Sequence, residues 1–138
     1  MHNETHAIAE IKDYAIRTRW KSGVDGGFTA IPNVLLKHQR ELELAPNELT
    51  VLLHVIMCWW TPEQNPYPSA GFIAKRMVTS TRTVERHLAA LTDKGLIARV
   101  ITDGKKSFDL SGLVKRLEEI AKYELHSRAQ KSPTQESS

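Results

Sequence analysis

One cysteine, Cys58, is all the thiol this chain of 138 residues carries, so no internal disulfide can form and the fold must rest on packing. Set in an apolar stretch, that thiol reads as a small buried hydrophobe rather than a nucleophile. Nowhere do 18 apolar residues run together, and the first residues are polar and acidic where a secretory signal would be basic and then apolar. The chain is therefore expected to be cytoplasmic, with no membrane partner, and the sequon Asn3-Glu4-Thr5 has no use. A glycine-rich phosphate loop, a serine elbow, an HExxH pair and paired cysteines are all missing. His2 and His6 stand four apart without other ligands beside them, which assigns no metal. Tyr14, Tyr67 and Tyr123 lack a neighbouring histidine cluster or acidic metal site, which argues against a nuclease or relaxase. The expectation is no enzyme, no cofactor and no internal repeat.

What is present is the composition of one soluble globular domain with tails, 41% hydrophobic and 25% charged. The net charge of +3 is unevenly spread: Lys75 to Lys106 holds eight Lys or Arg against three acids, net +5, which leaves −2 elsewhere. A local excess suits a polyanion-binding face, although a solvated face carries such charge too.

Thr79 to Ile97 organises the rest. The cluster Thr79-Ser80-Thr81 offers an N-cap hydroxyl, and Gly95 stands where a helix closes in the left-handed conformation. Between them Val84, Leu88 and Leu91 fall at i, i+4 and i+7, one apolar stripe that must face a core. Arg82, Arg86 and Ala89 occupy the opposite side, with Thr83 and Ala90 beside them and Glu85 on one flank. Small residues let a helix approach a duplex, and arginine grips phosphate or guanine bidentately, so this side reads as a DNA-reading face.

Around that helix the chain divides readily. Residues 1–22 form an N-terminal arm, with Ile8, Ile11 and Ala15 at helical spacing; a short helix and a frayed terminus both fit. Gly23 to Gly27 is a joint, and Phe28 to Ile31 predicts a short strand stopped by Pro32. Asn33 to Leu44 is a short packing helix and a connection. Pro46 and Glu48 open the next helix. Leu49, Leu52, Leu53, Ile56, Met57 and Trp60 make its spine, with His54 and Trp59 off the stripe. The prolines of Thr61 to Pro68 mark a loop. Ser69 caps a helix from Ala70 to about Met77, with Phe72, Ile73 and Met77 inward; its N-terminus is either a plain cap or a phosphate site. Leu96 to Thr102, the turn signal Asp103-Gly104 and the return Ser107 to Leu110 predict a hairpin wing. Lys105 and Lys106 sit at its tip, against DNA backbone or merely solubilising an edge. Ser111 caps a last helix over 112–126, which packs on its own domain or on a second copy, and 127–138 reads as a disordered tail. The order predicted is β, α, α, α, β, β, α, with the main domain at 23–111.

Ile73-Ala74, Met77, Ser80-Thr81-Arg82-Thr83-Val84, Arg86, Leu88, Leu91 and Lys94-Gly95-Leu96-Ile97 together resemble the winged helix-turn-helix superfamily. The likeness runs from about Phe28 to Ala121. It is greatest to small bacterial domains of mobile-element regulators and of plasmid and phage replication initiators. Val78 and Thr79 depart from the glycine and aliphatic residue common there. Valine is unfavourable at positive φ, so a differently shaped turn is expected. The resemblance implies a mainly α fold with a small antiparallel β-wing (α+β), a winged helix-turn-helix. Its function would be binding double-stranded DNA as a transcriptional regulator, with the helix 81–94 in the major groove and the wing 96–110 on the backbone. The residues implicated are Ser69, Thr79, Ser80, Thr81, Arg82, Thr83, Arg86, Lys105 and Lys106. A homodimer through the arm or the last helix would add affinity on a two-fold site.

Two other readings fit the same residues. One is a replication-initiation or partition accessory of a plasmid, phage or integrated element; against it, the chain ends soon after the wing without a second domain. The other is a winged helix used as a protein-interaction module, which Glu85 and Asp93 on the helix flanks would favour.

Overall fold

A computed structural model of the chain describes residues 13–130, in two units that divide between Ala30 and Ile31. In the first, residues 13–20 are helical (α1) and continue into a 3-10 turn, Lys21–Val24. Asp13 and Arg17 lie one turn apart on α1 and form an exposed ion pair, N–O 3.2 Å. Ile8, Ile11, His2, His6 and the sequon lie outside the described residues. The strand expected at Phe28 to Ile31 is irregular backbone, and the compact unit carrying the core starts at Ile31 rather than at residue 23. Pro32 follows at once and removes a ladder donor, so a run this short has little with which to join a sheet.

The second unit contains α2 (Asn33–Lys37), α3 (Pro46–Met57), α4 (Ala70–Met77), α5 (Thr81–Asp93), the strands β1 (Ala98–Thr102) and β2 (Lys105–Asp109), and α6 (Ser111–Gln130). Among the described residues it is mainly helical with one two-stranded antiparallel sheet. No described helix is long and apolar enough to cross a membrane. α5 packs on both α3 and α4, and α2 on α6. One apolar core joins them through Leu35, Leu52, Ile73, Leu88, Leu91 and Leu96, all nearly inaccessible. At about 1.5 to 3 kcal/mol for each fully buried side chain of this size, that core is the chief support of the fold.

α3 begins as its first residues require. Pro46 occupies the first turn, and Glu48 Oε1 accepts from the Ala45 N–H at 3.0 Å. Partial burial would push the Glu48 carboxyl up. The Lys94 ammonium, which donates to it and to the Glu43 carbonyl, and the Ala45 N–H outweigh burial and hold its pKa below the usual value. A charged Glu48 thus ties α3 to the end of α5. The buried face of α3 is turned from the one expected. Leu49 and Leu52 are buried as expected and Leu53 and Ile56 pack half-buried against the core, but Val51 and Val55 are inaccessible and Met57 is exposed. Trp60 lies beyond the helix and is exposed. Between Leu49 and Met57 only Thr50 and His54 interrupt the apolar residues, so period alone does not fix the face.

The turn between α4 and α5 corrects another expectation. Val78 adopts the left-handed conformation, φ 54° and ψ 52°, and the Thr79 N–H reaches back to the Ala74 carbonyl at 3.1 Å. This is the ordinary closure of a helix through a left-handed residue, with valine where glycine is usual. Its side chain is 93% exposed, so no packing offsets the strain. Val78→Gly should raise stability by about 1 kcal/mol, the relieved strain exceeding the flexibility that glycine adds to the unfolded chain. That is a rise of several degrees in melting temperature; an unchanged or lower value would mean that valine is unstrained there.

α6 also differs in detail. Asp109, not Ser111, caps it: its Oδ1 accepts from the Ser111 N–H at 2.8 Å, and the hydrogen bonds from the Ser111 backbone and hydroxyl lower the carboxyl's pKa. The helix continues through residues 127–130, expected to be tail, and 131–138 lie outside the described residues.

Candidate nucleic-acid interface

α5 presents the face that its sequence calls for. Val84, Leu88 and Leu91 are buried, while Arg82, Arg86 and Ala89 are exposed on the other side. Ser80 caps the helix, its Oγ accepting from the Thr83 N–H at 3.1 Å and donating to Thr83 Oγ1 at 2.9 Å. Thr83 Oγ1 also receives Arg86 Nη2 at 3.4 Å, so the cap and the guanidinium form one chain along the helix surface. Among the described residues no ion pair or hydrogen bond involves the Arg82 guanidinium, which remains available for an anion or a base edge. Gly95, at φ +75°, ends the helix, with its N–H on the Thr92 carbonyl and that of Leu96 on the Leu91 carbonyl.

Two helix starts meet beside this face. Ser69 caps α4, accepting from the Phe72 N–H at 3.0 Å. A methyl group placed on Gly71 would lie 3.9 Å from Thr81 Oγ1 and 4.0 Å from Ser69 Oγ. The N-termini of α4 and α5 therefore adjoin, each with free N–H groups and the positive end of its dipole. Ser69 and Thr81 are exposed, whereas Thr79 is half-buried and its N–H is committed to the turn.

The hairpin turns through Asp103 (φ 52°) and Gly104 (φ 76°), a two-residue loop of the kind that matches strand twist. Its register pairs Thr102 with Lys105 and Ile101 with Lys106. Successive side chains point to opposite faces, so Lys105 and Lys106 cannot both lie against one surface. Lys106 shares its face with Ile101, Arg99 and Phe108. Phe108 is buried, and Arg99 Nη2 meets Glu85 Oε2 on α5 at 3.3 Å. This is the side turned towards α5. Arg99 lies outside the residues that the sequence implicates; strand alternation, carried back from Lys106, is the signal that places it there. The pair is about half exposed and contributes at most about 1 kcal/mol. Its effect is to compensate Glu85, whose charge would otherwise repel phosphate. Lys75 is exposed. Arg76 instead folds over Phe72, its guanidinium carbon 3.6 Å from the ring centroid.

Among the described residues no group of three or more His, Cys, Asp or Glu side chains is placed to hold a metal ion. Burial pushes the Cys58 thiol up despite the opposing charge of Arg76, and this keeps it in the unreactive protonated form.

Residues 31–128 match the family model described as the DnaD N-terminal domain. No curated protein matches at a significant level. Among solved structures, the chain is similar to the N-terminal domain of DnaD protein from Geobacillus kaustophilus HTA426, with a TM-score of 0.59 and 24% identity over 83% of this chain and 97% of that one. At that identity the likeness speaks for the fold.

Proposed function

The chain belongs to the family of DnaD N-terminal domains, and from that premise we propose that it is a DNA-binding accessory of replication initiation, built as a winged helix-turn-helix. Membership favours the replication reading over the transcriptional regulator first expected from the residues. The observation that carries DNA binding is the outward face of α5, where Arg82 and Arg86 stand exposed beside the adjoining starts of two helices. In this reading α5 enters the major groove, Arg82 and Arg86 contact base edges or clamp phosphate, and Ser80, Thr81 and Thr83 set the height of the helix above the groove. Ser69 offers its helix terminus to the backbone, and Lys106 with Arg99 approaches a flanking phosphate.

One such module buries only about 600 to 1,000 Å² of protein, so a second copy on a two-fold site would add the affinity one lacks. The exposed Tyr123 and Leu125 support α6 as the contact. The chain is proposed to act without catalysis.

The test is selection from a pool of duplex DNA at two salt concentrations, followed by mapping of the retained sequences. Retention should fall as salt rises, and the sequences should lie in repeats at an origin. Enrichment at promoters would restore the transcriptional reading. Absence of retention at low salt would overturn DNA binding and favour a protein-interaction module.

A further inference from the structure

The loop between α3 and α4 carries aromatic residues that the duplex-binding face does not use. Trp60 and Tyr67 meet edge to face, ring centroids 6.0 Å apart and planes at 89°. With Phe72, Pro68, Cys58 and Ser69 they line a cavity of about 280 Å³. A closed core would bury these rings, yet Trp60 is 69% and Tyr67 53% exposed. One cation stands beside the cavity. The Arg76 guanidinium lies over Phe72, held there by a hydrogen bond from Nη1 to the Phe72 carbonyl at 3.2 Å. Its charge also acts on the Cys58 thiol, which lines the same cavity. No acidic side chain lines the cavity.

We propose that this cavity takes an unpaired nucleobase of single-stranded DNA, stacked against Trp60 and Tyr67, with the adjoining phosphate held by Arg76. A heteroaromatic ring matches the apolar walls, and its phosphate matches the guanidinium beside them. Bases in a duplex are stacked inward and cannot enter, which restricts the site to a strand that has been opened. An acidic peptide with an aromatic anchor would satisfy the same walls. The choice of nucleic acid rests on the DNA-binding reading and on continuity: Ser69 lines this cavity and also stands beside Thr81 at the start of α5. One helix end thus borders both the duplex face and the aromatic cavity. A strand separated at the edge of a bound duplex would have a short path between them.

The experiment compares binding of a labelled oligothymidylate and a labelled duplex by fluorescence anisotropy, with the full chain and its Trp60→Ala, Trp60→Phe and Arg82→Ala, Arg86→Ala variants. Trp60→Ala should weaken binding of the single strand by about tenfold or more and leave the duplex unaffected, since one stacked base contributes about 1 to 3 kcal/mol. Trp60→Phe should restore most of the loss. The arginine double variant should show the reverse preference. Circular dichroism checks that each variant is folded; should Trp60→Ala not fold, Tyr67→Ala serves in its place. Duplex binding without single-strand binding, or single-strand binding indifferent to Trp60, would overturn the site and leave the duplex reading standing. An equal loss on both DNAs would overturn it too. Binding of neither DNA would sink the DNA reading itself, and this site with it.

Discussion

Gly112→Ala should destabilise the domain by about 3 kcal/mol, although alanine in place of glycine within a helix ordinarily stabilises by roughly 0.5 to 1 kcal/mol. The reversed sign follows from one close approach. A Cβ on Gly112 would lie 2.1 Å from the Gly95 carbonyl oxygen and 3.2 Å from its carbon. A long side chain in that position could swing aside, but a backbone carbonyl cannot, least of all here. Gly95 is fixed at φ +75° by the closure of α5, and the Leu113 N–H bonds the Leu96 carbonyl next to it at 2.9 Å. Relief would require α6 to lift off the end of α5, exposing Leu113 and Leu117, both buried. Urea denaturation followed by helical signal measures the loss, as a lower midpoint at unchanged slope. Gly71→Ala is the control, since its methyl would meet only atoms at 3.9 and 4.0 Å and should follow the ordinary rule. If Gly112→Ala behaves like the control, α6 does not pack so closely.

Replacing Arg82 and Arg86 together by alanine should cost duplex binding about 1 to 3 kcal/mol for each arginine that grips a base bidentately, a factor of roughly 30 to some tens of thousands when both do so. Both side chains are exposed on α5, and neither helps to hold the core, so unfolding free energies should stay within about 0.5 kcal/mol of the parent. The arginines need not contribute alike. Arg86 is tethered to the Thr83 hydroxyl, whereas Arg82 is free and gives up more conformational freedom on binding. Titration against competing sequences separates their jobs. A base-reading arginine, once removed, relaxes preference at one position. A phosphate-gripping one weakens every site alike and lowers the salt slope by about one. Unchanged affinity for duplex in the folded double variant would remove α5 as the reading helix.

These expectations rest on elements of unequal legibility. α5 is readable because its stripe, cap and closing glycine agree, and so is the hairpin, where Asp103-Gly104 leaves few conformations open. The arginines follow from α5 by subtraction, being what remains outside the stripe. α3 is readable as a helix but not in rotation, its apolar residues running most of the way round. Trp60 then reads as one more member of a spine when it stands at a cavity mouth. Gly112 is silent for another reason: a glycine demanded by a neighbouring backbone resembles any helical glycine until the neighbour is in place. Asp109 and Arg99 depend on strand register, which a sequence fixes only once the two partners are known.

The bond between Leu113 and Leu96 has a consequence for how such domains diversify. It joins the two feet of the hairpin, so everything from Ile97 to Gly112 leaves the body and returns to nearly the place it left. Near the feet, Ile97, Phe108 and Leu110 remain anchored in the core, while the residues from Ile101 to Lys106 are exposed. The outer hairpin is thus an appendix whose length, charge and tip can vary with little effect on the helices beneath. Descendants of one scaffold could exchange that segment and acquire new partners while keeping the same interior.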